Sequence, residues 1–248
     1  DQWARAFDVT YEDTSGEQQY VHQTTYGMSE RLLGAIVASH GDDRGLIMPP
    51  AVAPIQVIVI PILSKDGSEE VMSKAEEIVS ELKSSGIRTK LDSRAIRPGQ
   101  KYYDWEIKGV PLRIEIGPRD LANNAVMCAK RTGEKTSQSL DGLVDAVQNQ
   151  LETIGDEMMS NSLEHFNSHL QNLPSFTVDG NNLQFSEPIQ TNKVYEFAFA
   201  GNDAEAEMIE KSTGLSFLGD STKLYDKEQP CIITGTLTTR RIYLAKAY

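Results

Sequence analysis

The sequence has only two cysteines, Cys128 and Cys231, and no CxxC pair. Neither a disulfide framework nor a four-thiolate zinc site can be assembled from them. Its apolar runs are too short to span a bilayer as a helix, so no membrane partner is expected. No charged-then-apolar leader stands ahead of the first strand-like run, so no secretory signal is expected. GxGxxG and GxxxxGK[ST] are both missing, which removes the dinucleotide and P-loop signatures. Positive charge is also scarce: 24 Lys and Arg face 36 Asp and Glu, a net charge of −12. That balance argues against a surface that binds nucleic acid everywhere. What remains is a 248-residue chain, 39% hydrophobic and 24% charged. It has the composition of a globular protein and the length of two or three compact units.

The charge is unevenly spread. Between Gly86 and Arg119 stand Arg88, Lys90, Arg94, Arg97, Lys101, Lys108, Arg113 and Arg119, against Asp92, Asp104, Glu106 and Glu115. This stretch is a basic island in an acidic chain, and it could hold a phosphate backbone on one face. Lys90 and Lys101 are candidates for such contacts, which would weaken with salt and ignore base identity.

Hydrophobic patterning divides the chain into four segments. Phe7–Asp13 and Gln18–Thr25 alternate like the strands of a hairpin around Thr14–Glu17, and Ser29–Ser39 reads as a helix carrying Leu32, Leu33, Ile36 and Val37. Gly41 is expected to end that helix in a left-handed turn. A hairpin and one helix cannot close a core, so residues 1–48 are expected to be the remnant of a larger antiparallel domain. Pro49, Pro50 and Pro54 mark a linker. Ile55–Leu63 is apolar on both faces apart from Gln56, as a strand buried inside a parallel sheet would be. A turn at Asp66–Ser68, a helix with Val71, Ala75, Ile78, Val79 and Leu82 on one stripe, and a strand at Ile87–Leu91 complete a βαβ unit. A helix at Gln100–Lys108 and strands at Leu112–Ile116 and Ala125–Arg131 extend an α/β domain over 49–139. A long helix over 140–170 then connects to a small α+β domain, 171–248.

Two groups could suggest a metal. His165 and His169 lie four apart on a helix, but no third ligand is evident, and solvated helix residues are the better reading. His40–Gly41–Asp42–Asp43 could be drawn as a cation site, yet a helix-ending turn explains the same residues.

Gly27–Met28–Ser29–Glu30–Arg31–Leu32, a strand and glycine leading to Glu-Arg at the start of an apolar helix, resembles motif 3 of the class II aminoacyl-tRNA synthetases. Continued through His40–Ile62, the segment looks like prolyl-tRNA synthetase in particular. Trp105–Pro111, with Arg113, Glu115 and Gly117–Asp120, is similar to that family's anticodon-binding domain. Tyr243–Tyr248 is similar to the C-terminus of its archaeal and eukaryotic-like branch.

The resemblance implies an ATP-dependent ligase that attaches proline to proline tRNA through prolyl-adenylate. Its partners would be ATP with Mg, proline and tRNA, and the whole enzyme would be a cytoplasmic homodimer. Arg31 would bind ATP and Ser29 would help hold proline. Glu106, Arg113 and Arg119 would read anticodon guanines, the carboxylate accepting from N1–H and N2–H and an arginine donating to O6 and N7. The plain alternative for Glu106 and Arg113 is a surface ion pair with each other. Tyr26 and Glu30 depart from the family's usual Trp and Thr. Relatives can hold zinc with four cysteines, whose positions here match Ala200, Glu205, Cys231 and Thr234, so no zinc is expected and Phe197, Phe199, Ile209, Phe217 and Leu218 should form a core instead. Motifs 1 and 2 would lie before Asp1, so the chain alone is expected to form no prolyl-adenylate. The competing readings are a non-catalytic tRNA-binding or accessory protein derived from a class II synthetase, and an acidic regulatory domain that binds no RNA.

Overall fold

The computed structural model describes residues 1–63 and 68–247, which fall into two compact units, Asp1–Gly155 and Asp156–Tyr248. The first opens with a short helix, α1 (Gln2–Ala6), and an antiparallel hairpin of β1 (Thr10–Glu12) and β2 (Gln18–Tyr20). Asp13 shapes the turn by accepting the N–H groups of Ser15 and Glu17. Both strands are shorter than the alternation predicts: among the described residues the ribbon has two strands and no third to hold its outer residues. Helix α2 (Arg31–His40) follows, and none of its residues is buried. Gly41 ends it in extended conformation (φ −72°, ψ 154°), not in the expected left-handed turn. Glycine is still required, because a Cβ there would stand 2.6 Å from the Val37 carbonyl oxygen.

The second part of this unit is a five-stranded sheet. Strand β3 (Val57–Pro61) is fully buried, as its two apolar faces require. Helix α3 (Ser68–Ser84) buries the five predicted stripe residues; Asp66 and Gly67 of the predicted turn lie outside the described residues. Next come β4 (Thr89–Leu91), α4 (Pro98–Ile107), β5 (Leu112–Ile116), α5 (Pro118–Ala122), β6 (Ala125–Lys130) and β7 (Lys135–Ser139). The sheet order is β4-β3-β5-β6-β7. β4 and β5 run parallel to β3, so the βαβ unit is present, while β6 and β7 continue antiparallel. β7 has no hydrophobic alternation in its sequence, since it is a polar edge strand. On one side of the sheet Ile58 and Ile60 pack with Trp105 of α4 and Val110. This packing anchors α4 and so fixes the side chains on its outer turns.

Helix α6 (Leu143–His169) buries Leu143, Val147, Leu151 and Ile154 within the first unit. The second unit contains β8 (Leu170–Asn172), β9 (Phe176–Asp179), β10 (Asn182–Phe185), β11 (Val194–Ala198), α7 (Asp203–Thr213), β12 (Ser216–Asp220), β13 (Gln229–Pro230), β14 (Leu237–Thr238) and β15 (Arg241–Ala245). Its main sheet has the order β12-β15-β11-β8, with hairpins β9/β10 and β13/β14 beside it in sequence. Phe197, Phe199 and Ile209 are buried in its core and Phe217 packs against it, but Leu218 is exposed. Strand alternation accounts for this: with Phe217 turned to the core, its neighbour points outward. Among the described residues, no helix is long and apolar enough to cross a membrane. Tyr248 lies outside the described residues.

Candidate nucleic-acid interface

The basic island is less free than its composition suggests. Arg88 is exposed but its guanidinium is engaged: its Nε donates to the Ala53 carbonyl and its Nη2 to those of Pro50 and Ala51, which clamps the proline linker. Arg94 is bound to Asp92 and Asp104. Lys101 is buried, with its Nζ donating to the Asp92 carbonyl at 2.9 Å. Burial pushes its ammonium below the usual lysine range. The expectation that Lys101 meets phosphate therefore fails, because a buried amine cannot reach a ligand outside. Asp92 organises this corner. Burial would raise its carboxyl, but bonds from Arg94 and Trp105 outweigh that and hold it well below the usual range. Lys90 remains exposed, and with Lys108 it stands over the Trp105 ring.

Glu106 and Arg113 of the island meet charges from other segments elsewhere. A cleft of about 280 Å³ opens beside α4 and β5, lined by Arg44, Tyr102, Trp105, Glu106, Arg113 and Lys135 among others. Two of the three predicted readers therefore share one wall-to-wall space. Arg119 does not line it; it stands exposed on α5 and its side chain meets no partner among the described residues.

Arg113 is held in a definite pose. Its Nε donates to Glu115 Oε1 at 3.0 Å, and its guanidinium lies 4.1 Å above the centre of the Tyr102 ring. Glu115 is buried, and its second oxygen accepts from the Tyr102 hydroxyl at 2.9 Å and Lys135 Nζ at 2.8 Å. Burial would raise the Glu115 carboxyl, but its three donors prevail and lower it. Burial, followed by the nearby Glu115 charge, pushes the Tyr102 phenol up. The terminal nitrogens of Arg113 meet no acceptor among the described residues. A planar edge of donors is thus left for a ligand.

Glu106 is partly buried on the last turn of α4, and its Oε1 pairs with Arg44 Nη1 at 2.9 Å. Glu106 and Arg113 therefore do not pair with each other, and the plain alternative is corrected. The reason lies in the register: Glu115 sits two residues along β5 on the same face and captures Arg113 first. The cleft offers an acceptor on one residue and donors on others, the complement of a base edge.

Arg44, Lys130, Arg131 and Lys135 also line the cleft and were not singled out by sequence reasoning. The His40–Asp43 segment, weighed as a cation site, binds a guanidinium instead: Arg131 donates to both oxygens of Asp42. The Arg131 bond holds the Asp42 carboxyl far below its ordinary value.

The residues expected to meet ATP and proline occupy a different setting, outside this cleft. Arg31 begins α2 and Ser29 precedes it by two residues, with Ser29 Oγ accepting the Arg31 N–H at 3.4 Å. The Arg31 guanidinium is exposed and has no partner among the described residues. At the four positions matched to zinc ligands, Glu205 is engaged in the α7 capping box with Asn202, and the Thr234 N–H donates to Cys231 Sγ. With Ala200 as the fourth, the donor set does not fit a tetrahedral zinc ion.

Comparison with known proteins first defines a class. Residues 56–150, which contain the α4–β5 wall of the cleft, match the family described as anticodon binding domain. The particular relatives are proline–tRNA ligases. That of Methanocorpusculum labreanum is 42% identical over 238 residues, which is 95% of this chain and 48% of the relative. That of Methanococcoides burtonii is 39% identical over the whole chain and 51% of its own length, and that of Thermococcus kodakarensis is 49% identical over 68% of this chain. Over most of its length the chain is therefore similar to the proline–tRNA ligases, and residues 56–150 match the anticodon binding domain family. It spans about half the length of the curated relatives it matches.

Proposed function

We propose that this chain is the anticodon-reading portion of a proline–tRNA ligase and also supplies one wall of its active site. In the complete reaction the proline carboxylate attacks the α-phosphate of Mg-bound ATP, releasing pyrophosphate. The terminal hydroxyl of tRNA then takes the prolyl group from the adenylate and releases AMP. Arg31 would face ATP and Ser29 proline, in a site completed by motifs outside this chain and by homodimer formation. The segments keep their proposed duties: 1–48 for motif 3, 49–139 for the anticodon, 140–170 as connector, and 171–248 as a terminal domain without zinc. A cytoplasmic location fits the use of tRNA.

One observation carries the anticodon reading: Glu106 and Arg113 line the same cleft, the first presenting oxygens and the second unfilled N–H groups. Guanine is the base that needs both, donating from N1 and N2 and accepting at O6 and N7. Arg119, outside the cleft lining, is kept as a contact to a neighbouring part of the loop. The chain should bind proline tRNA in a salt-sensitive way, and more weakly after the anticodon guanosines are replaced by adenosines. Equal affinity for the two RNAs would refute the reading.

A further inference from the structure

The wall bearing Glu106 is not built from the anticodon-binding domain alone. The turn that follows α2, residues 42–45, lies before the matched segment 56–150 and yet reaches the cleft. Its backbone is docked on the end of α4: the Leu46 N–H donates to the Ile107 carbonyl at 3.1 Å and the Met48 N–H to that of Gly109 at 3.0 Å. The approach is so close that a Cβ on Gly45, at φ +126°, would stand 2.7 Å from Ile107 Cα. Arg131, its side chain 1% exposed, is the strut beneath. It donates through Nε to the carbonyl of Glu106 itself and through Nη1 and Nη2 to Asp42. Asp42 in turn accepts the Arg44 N–H at 2.9 Å, fixing where that side chain starts. The Arg44 guanidinium then closes the loop on Glu106 Oε1 at 2.9 Å.

We infer that Arg44 is a specificity-determining positioning residue, which sets the Glu106 carboxylate for the guanine edge by engaging one oxygen and leaving the other to the base. The inference rests on the reading of Glu106 as a base contact. A glutamate on an outer helical turn samples several rotamers, and ordering it on binding would cost affinity. An arginine held at its own base by Asp42 removes that freedom in advance. Arg44 also differs from a plain phosphate contact, which would serve every RNA alike.

The test uses the 248-residue chain and two RNA hairpins bearing the proline anticodon, one with guanosines and one with inosines at the same positions. Inosine keeps N1–H and O6 but lacks the N2 amine, so the affinity ratio reports the carboxylate contact. Wild type should favour guanosine by about tenfold, and Glu106→Ala should bring the ratio to about one. Arg44→Ala should lower the ratio at least threefold, and Arg44→Lys, which keeps charge but not the planar fork, should fall between. The double variant should match Glu106→Ala in ratio, since Arg44 acts through Glu106. If Glu106→Ala collapses the ratio while Arg44→Ala leaves it intact, or weakens both hairpins equally, the inference fails and the anticodon reading survives. If Glu106→Ala leaves the ratio intact, the anticodon reading fails and the inference falls with it. Arg44 is about half exposed, and Arg44→Lys covers the case in which the alanine variant is unstable.

Discussion

Residues 1–48 and the sheet domain after the proline linker are built on opposite terms. In the first, Ala4 is the only buried residue, while Tyr26, Met28, Leu32, Leu33 and Val37 stand exposed. In the second, β3 is buried throughout and α3 covers it with a complete apolar stripe. The candidate site residues inherit the difference. Glu106 and Arg113 are each fixed by named partners, whereas the Arg31 guanidinium has none among the described residues. Pre-set geometry is what base recognition needs. The 42–48 segment is tied firmly to the sheet domain, through Asp42, Arg44 and two backbone bonds.

The sharpest break between the two regions should be in activity. The purified chain should show no proline-dependent pyrophosphate exchange while still binding proline tRNA; exchange above background would show that the open segment suffices. In stability, Ile114→Ala in β5 should cost about 2–5 kcal/mol in urea denaturation, because it empties a packed site. Leu33→Ala should change stability by less than about 0.5 kcal/mol, since more than half of that side chain is already in water. Comparable losses at the two positions would erase the contrast.

Acid should act on the sheet domain through Asp92 and Glu115, and on its contact with the 42–48 segment through Asp42. Asp42, Asp92 and Glu115 have carboxyls lowered by their partners in the folded state. Their contribution is complete above the unfolded carboxylate range, near about 4, and is lost as pH falls through the lower folded values. Exchange protection of β5 amides should therefore decline below that range. A loss centred near neutrality would contradict the assignment. The smallest effect belongs to Lys90→Ala, which should weaken every tRNA alike and reduce the salt slope by roughly one.

Much of the sheet domain was legible because its pattern is periodic and its burial complete. The run at Ile55–Leu63 and the α3 stripe announce themselves in linear order. The cleft was legible only in part. Glu106 and Arg113 stood out through family resemblance, but Arg44, Arg131 and Lys135 come from distant segments and are gathered by docking and strand register. Counting charge along the chain misjudged Lys101, because linear order does not reveal that its amine faces a carbonyl oxygen inside. The extended conformation of Gly41 was hidden for a similar reason: its constraint is space beside Val37, not φ.

The most direct test of the central claim compares Glu106→Ala and Arg113→Ala with wild type for affinity to proline tRNA and to a tRNA without anticodon guanosines. The account predicts a loss of about 1–3 kcal/mol per variant for proline tRNA alone. An equal loss for both tRNAs, or none for either, would contradict it.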